Sequence, residues 1–141
     1  MIVDYWASIG PSDALPGRQH FDPIDVWNLI PNIWMVNVVG MPPQFEYRII
    51  GSKVVGYIGR EATGMFMHDV FEHFENTATC KDLRKAVSDG CPRWRRGSPT
   101  MRYDKDFKVV EQISLPLASN GKTVDIVLNL SLFFDSEGVL C

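Results

Sequence analysis

Cysteine is scarce in this sequence, and its three copies stand far apart. Cys80, Cys91 and Cys141 form no C-x-x-C pair, and none lies at zinc-ligand spacing from a histidine. An odd number of widely spaced cysteines does not make a disulfide framework. We therefore expect structural thiols in a reducing compartment.

The sequence also lacks a dominant charge and a long apolar run. Its 14 basic and 17 acidic residues leave a formal net charge of −3, which gives no electrostatic reason to expect nucleic-acid binding. No stretch approaches the ~18 apolar residues that span a bilayer. Residues 1–6 contain no basic region followed by an apolar run, so we expect no secretory signal. We expect a cytoplasmic protein without membrane insertion.

The sequence also lacks the common catalytic and nucleotide-binding motifs. The chain contains no G-x-S-x-G elbow, no G-x-x-x-x-G-K-[ST] phosphate loop and no G-x-G-x-x-G turn. His68 and His73 flank an acidic stretch that includes Asp69 and Glu72, but a five-residue gap does not place both on one helix face. We therefore expect no catalytic residue and no metal site, and nothing in the sequence identifies a cofactor.

Length and composition are those of one globular domain. The chain has 141 residues, of which 45% are hydrophobic and 22% charged. A chain of this size buries roughly 68–70% of its unfolded surface, enough for a core without disulfides. We divide it into residues 1–20, a helical segment and loop, and residues 21–141, a single domain.

An amphipathic stripe lies at the start of the chain. Ile2, Tyr5, Trp6 and Ile9 follow the i, i+3, i+4, i+7 spacing of one helix face. Such a stripe either folds back on its own domain or pairs with another copy. We predict a homodimer with Tyr5, Trp6 and Ile9 in its interface.

A capping signal starts the next element. Asp22 suits the N-cap and Pro23 the first helical position, so they predict a helix of about two turns. Ile24, Trp27 and Ile30 would share its apolar face.

Strands and broken helices follow in turn. Residues 33–39 and 45–50 are rich in apolar and β-branched residues around a Gly/Pro turn, which predicts a hairpin. Helices are expected at 52–58 and at about 76–89, the second ending at Gly90.

The last third of the chain is predicted to be β. Strands are expected at 91–103, disturbed at 97–99, and at 109–117. From Val124 to Phe133, leucines and isoleucine at even positions alternate with other residues, which predicts a strand with one buried face. Two strands, several helices and three strands indicate an α+β domain with helices on one face of a sheet.

This order, together with several short stretches, resembles PAS domains of a small, mostly stand-alone bacterial subfamily (PAS_5-like). The stretches run in the family's order from residue 5 to 64, and weaker similarity continues to about Leu130. They are Tyr5-Trp6, Leu15-Pro16-Gly17-Arg18, Asp22-Pro23-Ile24-Asp25, Leu29-Ile30-Pro31-Asn32-Ile33, Phe45-Glu46-Tyr47-Arg48-Ile49-Ile50-Gly51 and Gly59-Arg60-Glu61-Ala62-Thr63-Gly64. Trp27 stands where the family often has proline, and Asn37 where it often has aspartate.

The resemblance implies a five-stranded antiparallel sheet with short helices forming a pocket over its concave face. It also implies a sensory or regulatory role, and many family members have no assigned ligand. On this basis, and from the Met- and Phe-rich middle segment, we predict a non-catalytic sensor. A small, largely apolar ligand would bind between the leucine-rich face of the last strand and the Tyr57–Phe74 segment, and the signal would pass through association with an unidentified signalling protein. The predicted ligand-binding residues are Arg48, Tyr57, Arg60, Phe66, Met67, Phe71, Trp94, Tyr103, Ile126 and Leu128.

Two other functions remain open from the sequence. The first is a ligand-free protein-interaction module whose pocket is filled by its own side chains. The second is a small enzyme with His68 or His73 as base, oriented by Asp69 or Glu72. The enzyme requires that imidazole to point into the cavity.

Overall fold

The structure is a computed structural model that describes residues 2–99 and 107–141. Within these ranges, no helix is long and apolar enough to cross a membrane. The helices are α1 (Ile2–Ile9), α2 (Ser52–Ile58), α3 (Met67–Val70) and α4 (Ala78–Asp89), with 3₁₀ segments at Arg18–His20, Pro23–Asn32 and Phe74–Asn76. The strands are β1 (Ile33–Val39), β2 (Gln44–Ile50), β3 (Arg93–Gly97), β4 (Val109–Leu117) and β5 (Ile126–Phe134).

Local side-chain caps set the helix ends. The Thr77 Oγ1 atom accepts a hydrogen bond from the Cys80 backbone N–H at 3.1 Å, so α4 begins at Ala78 rather than at residue 76. Gly90 ends α4 with φ 64°, a left-handed conformation that suits glycine. The predicted Asp22 cap is confirmed, because its carboxylate accepts from the Ile24 N–H at 3.0 Å.

All five strands form one antiparallel sheet in the order β2-β1-β5-β4-β3. The C-terminal strand β5 lies in the centre, paired with β1 on one side and β4 on the other. The predicted α+β class and the five-stranded antiparallel sheet are confirmed. Strand β3 spans Arg93–Gly97. The strand is predicted for residues 91–103, and residues 100–103 of that range lie outside the described residues.

The helices α2, α3 and α4 cover one face of the sheet, which we name the helix-side face. Its core joins strand residues such as Trp34, Tyr47 and Val127 to helix residues such as Met67 and Leu83. Each of these side chains is at most 2% exposed. The mid-chain helices are therefore packed closely onto the sheet.

The opposite, outer face is covered by α1 and the 3₁₀ segment Pro23–Asn32. Ile126, Leu128 and Leu130 pack there, together with Ile2. The Trp6 Nε1 atom donates a hydrogen bond to the Pro116 carbonyl at 2.8 Å, which ties α1 to this face.

The prediction that the alternating residues of β5 lie under the mid-chain helices is wrong. Those residues face the N-terminal segment instead, and β5 is buried on both faces from Ile126 to Ser131. A central strand with cover above and below has no solvent side. The side chains of β5 that alternate in direction therefore enter two different hydrophobic cores, and neither set faces water.

The apolar face predicted for residues 24–30 is also wrong. Ile24 and Trp27 are 77% and 75% exposed, whereas Val26 is buried. Val26 has non-helical dihedrals, φ −132° and ψ 32°, and the segment is a 3₁₀ helix around it. A 3₁₀ helix has three residues per turn, so an i, i+3 spacing would keep one face, but the break at Val26 interrupts it and both Ile24 and Trp27 lie at the surface.

We expect Leu128→Ala to lower the free energy of unfolding by about 2–5 kcal/mol, since it opens a cavity in the outer-face core. Ile24→Ala removes an exposed side chain and should change stability by less than about 0.5 kcal/mol. Urea denaturation of both variants measures the difference. Equal effects would contradict the assignment of buried and exposed positions.

Candidate functional site

Three of the predicted ligand-binding residues are buried on the helix-side face, Met67 and Phe71 in one cluster and Tyr57 in another with Phe133. Tyr57, Met67 and Phe71 are at most 7% exposed. Burial raises the pKa of Tyr57, so its hydroxyl stays protonated and donates to the Cys141 carbonyl at 3.1 Å. The Tyr57 ring also packs edge-on against Phe133 at a centroid distance of 4.3 Å.

Ile126 and Leu128 do not line the same space. Both pack in the outer-face core with Met35, on the other side of the sheet from Met67 and Phe71. The predicted pocket between these two groups is therefore wrong, because a sheet separates them.

The remaining predicted residues lie at the surface or outside the description. Arg48 and Arg60 are exposed, and Trp94 is 62% exposed opposite Ile113 on the outer side of β3. Phe66 is half-buried and stacks on the His68 ring at 5.2 Å. Tyr103 lies outside the described residues.

The residues predicted for a dimer interface contact their own domain. The Tyr5 hydroxyl donates to the Asp25 carboxylate at 3.0 Å, and its ring meets Phe21 edge-on at 6.1 Å. Trp6 and Ile9 are half-buried against the outer-face core. Of the two arrangements the stripe allows, the structure contains the fold-back, and the homodimer stays a prediction.

Sequence reasoning missed a row of polar side chains on the helix-side face. Gln112 and Ser114 of β4 lie across from Ser131 and Asn129 of β5, in the register pairs Gln112–Ser131 and Ser114–Asn129. All four residues are at most 3% exposed. Four adjacent buried polar residues need hydrogen-bond partners, because unpaired polar groups in a core are destabilising.

Three of these four residues have an atom without a partner, and we name them the polar trio. Gln112 Nε2, Ser114 Oγ and Asn129 Oδ1 make no hydrogen bond to any described residue. Each such group costs about 1–3 kcal/mol when left buried and unpaired. The trio presents an amide donor, an amide acceptor and a hydroxyl that serves as either.

A neighbouring carbonyl determines which side-chain atom of Asn129 lacks a hydrogen bond. The Asn129 Nδ2 group donates to the Val127 carbonyl at 3.1 Å, which turns the Oδ1 atom the other way. Ser131, the fourth polar residue, is satisfied, since its Oγ accepts from Trp34 Nε1 at 2.8 Å. The Ser131 hydroxyl therefore has a partner within the fold, whereas each member of the trio keeps one atom without a partner.

A sequence signal for the trio existed but pointed elsewhere. Asn129 and Ser131 occupy the odd positions of β5, where a strand with one wet face would place polar residues. Only the pairing of β5 between two strands, beneath α4, makes those positions internal.

Helix α4 covers this region and is held by one arginine. Arg95, the register partner of Gln112 on β3, pairs through Nε with Asp82 Oδ2 at 2.8 Å. Its Nη2 also donates to Thr79 Oγ1 at 3.2 Å. The Arg95 and Asp82 side chains are 21% and 16% exposed, so water screens this pair only partly. We name these contacts the α4 latch.

Cavities formed by described residues lie away from the trio. One of about 300 Å³ opens on the outer side, between Arg18, Phe21 and Met35. Another, of about 750 Å³, lies along the outer surface of α4. The free atoms of the trio each have less than 1 Å² of accessible surface. A ligand therefore reaches them only when a covering element moves.

The two histidines of the enzyme alternative face solvent. The His68 and His73 side chains are 38% and 77% exposed. Their nearest carboxylates, Asp69 and Glu72, are 3.8 Å and 3.6 Å away and also exposed. The condition of that alternative, an imidazole inside the cavity, is not met by either residue.

Comparison with known families identifies one match. The PAS_5 family model, described as a PAS domain, matches residues 1–130, from α1 into β5. The match includes every residue of the polar trio. No curated protein matches the chain.

Substitution of two serines tests which hydroxyl groups make a hydrogen bond in the folded protein. Ser114→Ala removes a hydroxyl without a partner and should leave stability unchanged or raise it by up to about 1 kcal/mol. Ser131→Ala removes the acceptor of Trp34 and should cost about 1–3 kcal/mol. Guanidinium denaturation gives both values. Equal losses in the two variants would mean that the Ser114 hydroxyl is satisfied in solution.

Proposed function

Since this chain belongs to the PAS domain family, whose members are sensory or regulatory modules, we propose that it senses a small ligand bound against the polar trio. The observation that carries this proposal is the set of three unpaired atoms on Gln112, Ser114 and Asn129, next to one another and at most 3% exposed. Such atoms are destabilising unless a bound ligand or an ordered water completes their hydrogen bonds, and a ligand can replace such a water.

The chemistry of the trio narrows the ligand class. Gln112 Nε2 needs an acceptor and Asn129 Oδ1 needs a donor, while Ser114 takes either. An amide or a heterocycle with adjacent donor and acceptor atoms satisfies both. The rest of the molecule would meet the apolar neighbours of the trio on the same face of β4 and β5, which are Val110, Val127 and Phe133. The ligand is therefore more polar along one edge than the largely apolar molecule that the sequence suggested.

Ligand entry requires a covering element to move, because the trio has almost no accessible surface, and we assign this movement to α4, which packs on β3, β4 and β5. The α4 latch opposes this movement through the Arg95–Asp82 pair. A ligand that binds only the open arrangement shifts the population towards it. The displaced helix is then the signal passed to a partner.

A ligand-free interaction module is the second candidate. The observation that favours it is the complete burial of the helix-side core by its own side chains, with Leu83 and Met67 at 0% exposure. In that case the trio only lowers the stability of the fold, and no small molecule raises it.

A thermal-shift screen of amides and nitrogen heterocycles tests the proposal. A ligand at 100 times its Kd adds about 2.7 kcal/mol to the free energy of unfolding and raises Tm. The triple variant Gln112→Met, Ser114→Ala and Asn129→Leu should fold and lose this rise.

Asn28→Leu makes one of these amide-to-leucine changes at an exposed site and should keep the rise. A ligand that stabilises the triple variant equally binds elsewhere. If no compound raises Tm and native mass spectrometry detects no bound molecule, the interaction module is the better description.

Hydrogen exchange tests the role of the α4 latch. Asp82→Asn removes the charge from a mostly buried pair, where such hydrogen bonds contribute about 1.5–3 kcal/mol. Backbone amides of α4 should then exchange faster in the ligand-free protein. Glu111→Gln breaks the more exposed Arg96–Glu111 pair, 3.4 Å apart, and should leave α4 exchange unchanged. Unchanged α4 exchange in Asp82→Asn would rule out the latch.

A further inference from the structure

The largest of the cavities described above runs along the solvent side of α4. We name it the α4 groove. Its volume is about 750 Å³, and its walls are α4, the turn between β1 and β2, and the turn between β4 and β5. The groove is separate from the polar trio, which lies beneath the buried side of the same helix.

Cations rim the groove and most of them are unpaired. Lys81, Lys85 and Lys122 line it, and no acidic side chain of the described residues lies within 4.0 Å of their ammonium groups. Arg84 also lines it but is engaged, donating to the Pro43 carbonyl at 3.3 Å and pairing with Glu75 at 3.5 Å. Arg84 therefore builds the wall, and the three lysines remain free to bind.

The floor of the groove is apolar. Pro43, Val87 and Val124 contribute to it, and Met41 stands at its edge with 90% of its surface exposed. Methionine adapts its shape to a partner, and it is common on surfaces that bind amphipathic helices. An apolar floor between rows of cations complements a molecule with an apolar stripe flanked by acids.

We propose that the α4 groove binds an acidic amphipathic helix of a partner protein. The occupant needs several negative charges, because Lys81 and Lys85 lie on α4 whereas Lys122 lies on the opposite wall. A small molecule with one carboxylate pairs with one of these sites only. A helix with glutamates on both sides of an apolar stripe meets all three.

The length of the groove agrees with this occupant. From Lys81 to Ser88 the α4 wall contains eight residues, and the seven rises of 1.5 Å between them span about 10 Å. Two turns of a partner helix span the same distance. The chain carries a net charge of −3, so this cationic groove is a local exception that selects for an acidic partner by charge complementarity.

Fluorescence anisotropy with a defined probe tests the proposal. The probe is a labelled synthetic peptide of about 18 residues, long enough to form a helix, with leucine at every third or fourth position and glutamate between. We expect saturable binding to the full chain that weakens as NaCl rises from about 50 to about 500 mM. The same peptide with lysine in place of glutamate should not bind.

Charge reversal locates the binding site. Lys81→Glu with Lys85→Glu should weaken binding at least about tenfold, since it reverses two charges that face the peptide. Lys53→Glu with Lys108→Glu makes the same change in net charge, and Lys108 precedes β4, a strand about 30 Å long whose other end leads into the turn that carries Lys122. This control should bind as the unchanged protein does. Circular dichroism and Tm confirm that both variants fold.

Three outcomes would overturn the proposal. The first is no binding of the glutamate peptide, and the second is equal weakening by both pairs of substitutions. The third is binding of anionic vesicles or of an oligonucleotide, lost on reversal of Lys81 and Lys85, while the peptide does not bind. None of these results depends on a ligand at the polar trio, so they leave the proposed sensor function untouched.

Discussion

Strand β5 lies at the centre of the sheet, and both hydrophobic cores are built on it. This strand comes last in the chain but pairs with β1 on one side and β4 on the other. Because helical cover lies on both faces, every residue from Ile126 to Ser131 is buried. The even-numbered side chains of β5 pack against the N-terminal segment, and the odd-numbered side chains lie on the helix-side face beneath α4. A disruption of β5 would therefore loosen both cores at once.

The two faces of the sheet are therefore covered by different elements and lined by different kinds of side chain. The outer face has an apolar lining and is closed by α1, whose Trp6 hydrogen-bonds to β4. The helix-side face mixes apolar residues with Gln112, Ser114 and Asn129, and its cover is a set of short helices. The difference in chemistry assigns them different roles. The outer face stabilises the fold, and the helix-side face keeps unsatisfied groups that only a ligand or a water molecule completes.

Helix α4 connects the two proposals physically. Its inner side carries Asp82 and Thr79, which hold Arg95 beside the trio. Its outer side carries Lys81 and Lys85, which rim the groove. A rigid helix of 12 residues that moves on one side also moves on the other. A helix with this placement is suited to pass the state of a buried site to a surface partner.

The local elements are predictable from the sequence, because caps and turns act between residues close in the chain. Asp22 and Gly90 mark helix ends correctly, the order of strands and helices predicts the fold class, and several short stretches add the family. Which faces are internal depends on how the strands pair and what covers them. Periodicity reports that two sets of side chains point in opposite directions, but not what covers each set. The alternation of β5 predicts one buried face under the mid-chain helices, whereas its leucines lie under the N-terminal segment and its odd positions, such as Asn129, are buried as well. The position of a strand within its sheet depends on pairings about 100 residues apart, such as that of Ile33 with Leu130, which short-range patterns do not encode.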